Sequence, residues 1–312
     1  MSSTDGLRRI PAQTFTMGSD RHYAEEGPAH RVTLDGFWME THQVTNARFA
    51  GFVRDSGYVT VADRPLDPAA FPGAPAENLQ PGSMVFTMTP GPVDLRHINQ
   101  WWTWTPGASW RHPEGKGSSV TGREDHPVVH VAYEDAQAYA TWAGRSLPTE
   151  AEWEAAACGD LDGAAYTWGD TPEQPGQQLA NYWHGAFPWR PDSGYGATAP
   201  VGSYPANGYG LFDMAGNVWE WTSDWYATRH ADDTDSDKPC CLPRNPRGPG
   251  VDGSFDTRQP QFRVPRKVIK GGSFLCADSY CMRYRPAARR PQMIDTGMSH
   301  IGFRCVVRQS AD

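Results

Sequence analysis

Two cysteines separated by four residues, Cys276 and Cys281 in the stretch GGSFLCADSYCMRYRPAARR, have the type and spacing to do chemistry together. Four readings fit such a pair: a disulfide, a pair of metal ligands, a catalytic thiol with a resolving partner, or two core residues with no joint role. A continuous helix turns ~500° over five positions and leaves the side chains ~140° apart, while a straight strand sends them to opposite faces. Joint action therefore requires Ala277, Asp278, Ser279 and Tyr280 to form a loop that turns the chain back. A disulfide would bring the sulfurs to ~2.05 Å, whereas a two-coordinate metal would hold them on the order of 4.5 Å apart. Thiolates select Cu(I) or zinc. A closed zinc site takes four ligands, and no other Cys or His pair of zinc spacing appears. Two thiolates alone suit Cu(I), but spacing does not separate this from two cysteines that merely sit near each other.

The elements that must position these residues are set by composition. Aromatic residues make up 12% of the 312 residues, with 13 Trp, 32 Gly and 27 Pro, which describes a loop-rich fold pinned by large rings rather than a helix bundle. A formal net charge of −8 excludes a nonspecific nucleic-acid binder. The local basic cluster Arg283, Arg285, Arg289 and Arg290 reads as internal ion pairs and carbonyl contacts. The opening MSSTDGLRRIPAQTFTMG lacks the apolar core of a signal peptide, and no window approaches the ~18 apolar residues of a membrane span. The chain is expected to be cytoplasmic, away from membranes and nucleic acid, with its six cysteines reduced.

Along the chain, HRVTLDGFWM predicts an early strand with Val32 and Leu34 inward, and VTNARFAGFVRDSG a short helix closed by Gly57. Residues 62–125 form a Pro-rich excursion carrying Trp101, Trp102, Trp104 and Trp110, candidates for a peptide groove or for core packing. Two short helices follow, VAYEDAQAYATWAG and LPTEAEWEAAACG, the second opened by a Thr149–Glu152 capping box. The Gly-, Asn- and aromatic-rich run from 194 to 225 suits loops around a buried centre or ion. Residues 229–267 read as an exposed, mobile insertion, with Cys240 and Cys241 incidental. KVIKGGSF and IGFRCVV are strand-like runs, and alternation of Ile301, Phe303, Cys305 and Val307 makes Cys305 a small core residue. With no internal repeat or linker, residues 1–312 form one domain.

The motifs FTMG, WRHPEG, DHPVVHV, WAGRSLPTEAEWE, NGYGLFDMAGNVWEWTSDW, GGSFLCADSYCMRYRPAARR and HIGFRC resemble those of formylglycine-generating enzymes nearly end to end. The resemblance implies an α+β, variant C-type-lectin-like fold with low regular secondary structure. It further implies a monomeric, copper-dependent oxidase that uses O2 and an external thiol reductant. Its substrate would be the cysteine of a CxPxR segment in an unfolded or extended type I sulfatase, converted through a thioaldehyde to Cα-formylglycine. By position, Cys276 and Cys281 are the Cu(I) ligands, with the substrate thiolate as a third. Ser273 and Tyr280 orient sulfur, oxygen or a water, or else simply close the loop. Trp219 or Trp221 borders the copper pocket. Two Ca2+ sites come with the family. The first uses Asn181, the carbonyls of Tyr182 and Tyr195, and a carboxylate whose matching position is Ser193, with the acid one place earlier at Asp192. The second uses Asp213, Glu220 and the carbonyls of Gly216 and Val218. Taken without the resemblance, Asp213 and Glu220 read as solvated turn residues.

Some positions depart from the pattern. Secreted members carry disulfides where this chain has Ala140 and Pro286, which leaves Cys305 unpaired, and Ala277 stands where many members have a bulky or basic residue. Two rival classes remain. A noncatalytic lectin-like binding module is expected to lack one or both motif cysteines. A nonheme-iron sulfoxide synthase needs a helical histidine set, which His112, His126 and His130 do not form; they read as hydrogen-bonded core or surface residues.

Overall fold

The structure, a computed structural model, describes residues 6–70, 73, 75–230 and 242–308. Regular elements are short, as a composition rich in Gly and Pro dictates. A four-stranded sheet runs in the order β11 (Arg289–Met293), β10 (Arg266–Lys270), β9 (Trp219–Trp225), β12 (Ile301–Gly302). A three-stranded sheet joins β1 (Leu7–Ile10), β4 (Phe37–Glu40) and β13 (Val306–Arg308), so segments far apart in sequence meet in one ladder. Three hairpin pairs complete the strands: β2 (Gln13–Met17) with β3 (His30–Leu34), β5 (Gly82–Phe86) with β6 (Trp102–Pro106), and β7 (Gly185–Ala186) with β8 (Arg190–Pro191).

The early apolar alternation buries Val32 and Leu34 as expected, but the run divides at Asp35–Gly36 into β3 and β4, which serve different sheets. Helix α1 (Asn46–Ser56) ends at Gly57, whose φ of +68° is the left-handed turn that glycine takes without strain. Helix α2 (Tyr133–Trp142) precedes α3 (Glu150–Cys158), whose start is held by the expected reciprocal pair. Glu152 N–H donates to Thr149 Oγ1 at 3.0 Å, and Thr149 N–H donates to the Glu152 carboxylate at 2.7 Å. Four alanines let α3 lie close on β9 and β10, and every residue of it is buried.

Both faces of β10 are covered, so its five residues are all buried and simple alternation fails. Its charged side chains survive burial because each is paired: Lys270 Nζ with Glu154 at 2.8 Å, Arg266 with Asp256 at 3.0 Å, Lys267 Nζ with the Ser223 carbonyl at 2.6 Å. Alternation also fails at the C-terminal run. Ile301, Phe303 and Cys305 are buried, but so is Arg304, and the run is two short strands rather than one.

The Pro-rich excursion contains the β5–β6 hairpin, and Trp101 and Trp110 are core residues. The segment expected to be a mobile insertion is anchored where described. Thr33 N–H donates to the Pro243 carbonyl at 2.9 Å and its carbonyl accepts Asn245 N–H at 2.8 Å, Arg247 pairs with Asp224 at 2.6 Å, and Ser254 and Asp256 are buried under Arg266. Residues 231–241, with Cys240 and Cys241, lie outside the described residues. Trp219 and Trp221 are fully buried in the central core.

Candidate active site

The cysteine segment is the connection between neighbouring strands β10 and β11. It leaves β10 through Gly271 and Gly272, with φ of +92° and +71°. At Gly272 a Cβ would stand 2.8 Å from the Arg283 carbonyl, so the outgoing and returning chains touch there only because the side chain is absent. The loop then closes on itself: Cys276 N–H donates to the Ser273 carbonyl at 2.9 Å and Cys281 N–H to the Ala277 carbonyl at 2.6 Å. Trp183 N–H, donating to the Cys276 carbonyl at 2.7 Å, ties the loop to the strand-like run beside it. This is the turned-back backbone that joint action of the two cysteines requires.

The result places Cys276 Sγ and Cys281 Sγ 3.2 Å apart, neither in a disulfide. That separation is too long for a covalent bond of ~2.05 Å and matches a thiol sharing its hydrogen with a thiolate. Cys276 is 2% exposed, and burial, then its hydrogen bond to Cys281, pushes its thiol well up. Cys281 is partly exposed; the hydrogen bond from Cys276 draws it down to about 6, with Arg283 and Arg290 adding positive charge against the effect of burial. Arg283 Nη1 lies 4.0 Å from Cys281 Sγ. Two sulfurs, one of them anionic and reachable, fit a soft monovalent ion.

Ser273 and Tyr280 take different parts. Ser273 is fully buried and its hydroxyl accepts Leu275 N–H at 3.3 Å, so it shapes the loop from beneath. Tyr280 is 37% exposed; its ring stacks on Phe187 at 4.8 Å and meets Trp101 edge-on at 5.8 Å. Phe187, Trp101, Trp183 and Phe274 form one apolar cluster, an aromatic wall beside the thiols. Trp101 was a candidate from the sequence; Phe187 was not, because nothing local marks it.

A second group that sequence reasoning missed comes from the opposite end of the chain. The Tyr23 ring lies 3.8 Å from the Arg283 guanidinium, Glu25 accepts from Arg283 Nη2 at 2.5 Å, and buried Glu26 pairs with Arg285 through both oxygens. The expectation of internal ion pairs for Arg283, Arg285 and Arg289 is met, Arg289 pairing with Glu150.

The two calcium sets differ. Asn181 is 1% exposed; its Nδ2 donates to the Ala197 carbonyl and Asn217 Oδ1, which leaves its Oδ1 buried without a partner. An orphaned oxygen of this kind fits a hard cation. Asp192 and Ser193 lie exposed on the turn after β8, and Tyr182 and Tyr195 flank His184 in one ring stack. In the second set, Asp213 and Glu220 are not solvated turn residues: both are buried. Asp213 Oδ2 accepts Gly202 N–H, and burial raises its carboxyl to about 6. Glu220, on β9, receives Arg304 at 2.7 Å on each oxygen, Trp153 Nε1 at 2.7 Å and Gln43 Nε2 at 2.9 Å. A carboxylate already neutralised and saturated by Arg304 does not fit a dication, so Glu220 with Asp213, Gly216 and Val218 is not a calcium cage here.

Fold and site together define a class: a lectin-like scaffold of short strands whose β10–β11 connection presents two reduced sulfurs beside an aromatic wall. The sulfatase-modifying factor enzyme 1-like domain matches residues 2–309. The chain is 53% identical over 299 residues to the formylglycine-generating enzyme of Mycobacterium tuberculosis, spanning 95% of this chain and 96% of that one. It is 40% identical over 308 residues to the inactive C-alpha-formylglycine-generating enzyme 2 of Mus musculus, spanning 95% and 83%. Among solved structures, PvdO from Pseudomonas aeruginosa superposes with a TM-score of 0.63 over 97% of this chain and 94% of that one; at 21% identity this shows the shared fold alone. The chain belongs to the sulfatase-modifying factor family, that of the formylglycine-generating enzymes.

Proposed function

We propose that this protein matures type I sulfatases, oxidising the cysteine of an unfolded or extended CxPxR segment to Cα-formylglycine. O2 is the cosubstrate, an external thiol the reductant, and Cys276 and Cys281 hold Cu(I). The observation that supports this reading is the pair of free sulfurs 3.2 Å apart, one buried and one reachable. Overall identity is a weaker guide, since a 40% identical relative is an inactive one. The balance is one substrate thiol, one O2 and two reductant thiols giving one aldehyde, hydrogen sulfide, water and one disulfide. Bound by the two sulfurs, Cu(I) would supply a seat for the substrate thiolate and the redox chemistry with O2 that side chains lack.

The protein's own part is placement. Cys281 faces the approach while Cys276 anchors the pair from inside. Tyr280, Phe187 and Trp101 offer flat apolar surface on which a substrate proline packs and water is excluded. Arg283, with Arg290, offsets the negative charge that accumulates when sulfur anions gather. At a distance, Asn181 Oδ1, with the carbonyls of Tyr182 and Tyr195 and an oxygen from Asp192 or Ser193, holds Ca2+ and stiffens the loops behind the wall. The protein acts as a monomer in the cytoplasm; among the described residues no helix is long and apolar enough to cross a membrane.

The test is to incubate copper-loaded protein with a CxPxR peptide, O2 and a thiol, and to follow thiol-to-aldehyde conversion by mass spectrometry. Cys276→Ser and Cys281→Ser each abolish conversion and tight Cu(I) binding. A single variant that keeps both overturns the assignment.

A further inference from the structure

Away from the cysteine loop, a cavity of about 450 Å³ opens beneath the β2–β3 hairpin, lined among others by Met17, His30, His230, Glu150, Asp224 and Arg289. Met17 and His30 are directly opposed in the antiparallel register, so their side chains share one face. His230 arrives from the segment after β9, held by its backbone N–H donating to the Gly27 carbonyl at 3.0 Å. Its ring lies 5.0 Å from that of His30, centre to centre, with the planes at 55°.

The hydrogen bonds fix which nitrogens are free. His30 Nδ1 lies 2.9 Å from the Pro28 carbonyl. A carbonyl only accepts, so Nδ1 carries the hydrogen and Nε2 offers its lone pair. Metal-ligating imidazoles commonly donate their other N–H to such a carbonyl. His230 Nε2 is buried with no hydrogen-bond partner. Two imidazoles bound to one ion at ~2.0 Å and a tetrahedral angle have ring centres ~5 Å apart.

The cavity's carboxylates are committed elsewhere. Glu150 takes Arg289 on both oxygens at 2.6 and 2.8 Å, and Asp224 accepts from Arg247 at 2.6 Å and from Glu150 N–H at 2.7 Å. A dication finds no free anionic oxygen there, whereas two imidazoles and a thioether suit a soft monovalent ion. We propose that Met17, His30 and His230 form a second metal site, distinct from the cysteine pair, that binds Cu(I).

The experiment uses the full chain with Cys276, Cys281, Cys240 and Cys241 replaced by Ser, so that its outcome is independent of the cysteine assignment. Cu(I) is titrated anaerobically against a chromophoric Cu(I) chelator, and X-ray absorption is recorded on the loaded protein. One equivalent of Cu(I) is retained, with nitrogen and sulfur scatterers. Adding His30→Phe and His230→Phe weakens retention by at least roughly a hundredfold, the loss that removing even a supporting partner of a metal ligand can cause. The proposal is overturned if the parent yields all its Cu(I) to the chelator, if the spectrum lacks sulfur, if retention survives loss of both histidines, or if Zn2+ displaces Cu(I). Should the histidine variants fail to fold, the X-ray absorption of the parent decides alone.

Discussion

Tyr23 and Met282 are 259 positions apart and joined by one hydrogen bond, the phenolic oxygen accepting the Met282 N–H at 3.1 Å. The residue after Cys281 is thus pinned by a loop from the other end of the chain. Tyr23→Phe keeps the ring beneath Arg283 and removes only the acceptor. It is expected to cost about 1 kcal/mol in urea unfolding, and to lower kcat severalfold while KM for a CxPxR peptide stays near the parent value.

The neighbouring contact is more costly to break. Glu26 is fully buried against the equally buried Arg285, which also donates to the Met282 carbonyl at 2.7 Å. Glu26→Gln leaves that guanidinium without its counter-charge, and stability should fall by about 3 kcal/mol. Denaturant midpoints of parent and variant measure the change.

His130 governs part of the acid sensitivity. Its ring is buried between Ser83 and the Pro113 carbonyl, and burial lowers its pKa to about 4. The unfolded chain takes up a proton near pH 6.5 that the folded chain refuses, so this contribution is whole above about pH 6.5 and lost as pH falls toward about 4. Asp135 and Asp213, each raised to about 6 by burial, work in the opposite sense, their contribution lost as pH rises from about 4 to about 6. The parent-minus-variant difference isolates the histidine. His130→Asn tolerates the left-handed backbone at this position, φ +59°. The stability gap between the two should shift by roughly 3 kcal/mol in the variant's favour between pH 7 and pH 4.

Calcium stoichiometry separates the two sets of oxygen donors. One Ca2+ per chain is expected by isothermal titration, and Asn181→Ala should remove it. Two equivalents in the parent would show that Arg304 yields Glu220 to a second ion.

Local signals were legible in the sequence where local chemistry sets the outcome. Thr149 and Glu152 cap α3 within four residues of each other, and Gly57 closes α1, so spacing alone located them. The cysteine pair was different. Spacing showed only that a regular element could not join Cys276 to Cys281; the turn that does so depends on the backbone contact between Gly272 and Arg283 and on Trp183, which sequence spacing does not record. The buried charges were illegible for the same reason. Arg304 and Lys270 sit in apolar runs at positions that look outward-facing, and their partners Glu220 and Glu154 lie far off in the chain. Residues 229–267 read as loose because they are rich in Pro, Asp and Gly, yet Arg266 and Asp224 hold the described stretch from 242 onward down.

The meeting of residues 23–26 with residues 282–289 has a consequence for biogenesis. A ribosome-bound chain that has extruded only its first half already holds one jaw of the clamp but none of the sulfur it will grip. The cysteine loop therefore cannot reach its finished geometry until residues 282–289 have left the ribosome and met residues 23–26, which the growing chain exposes long before.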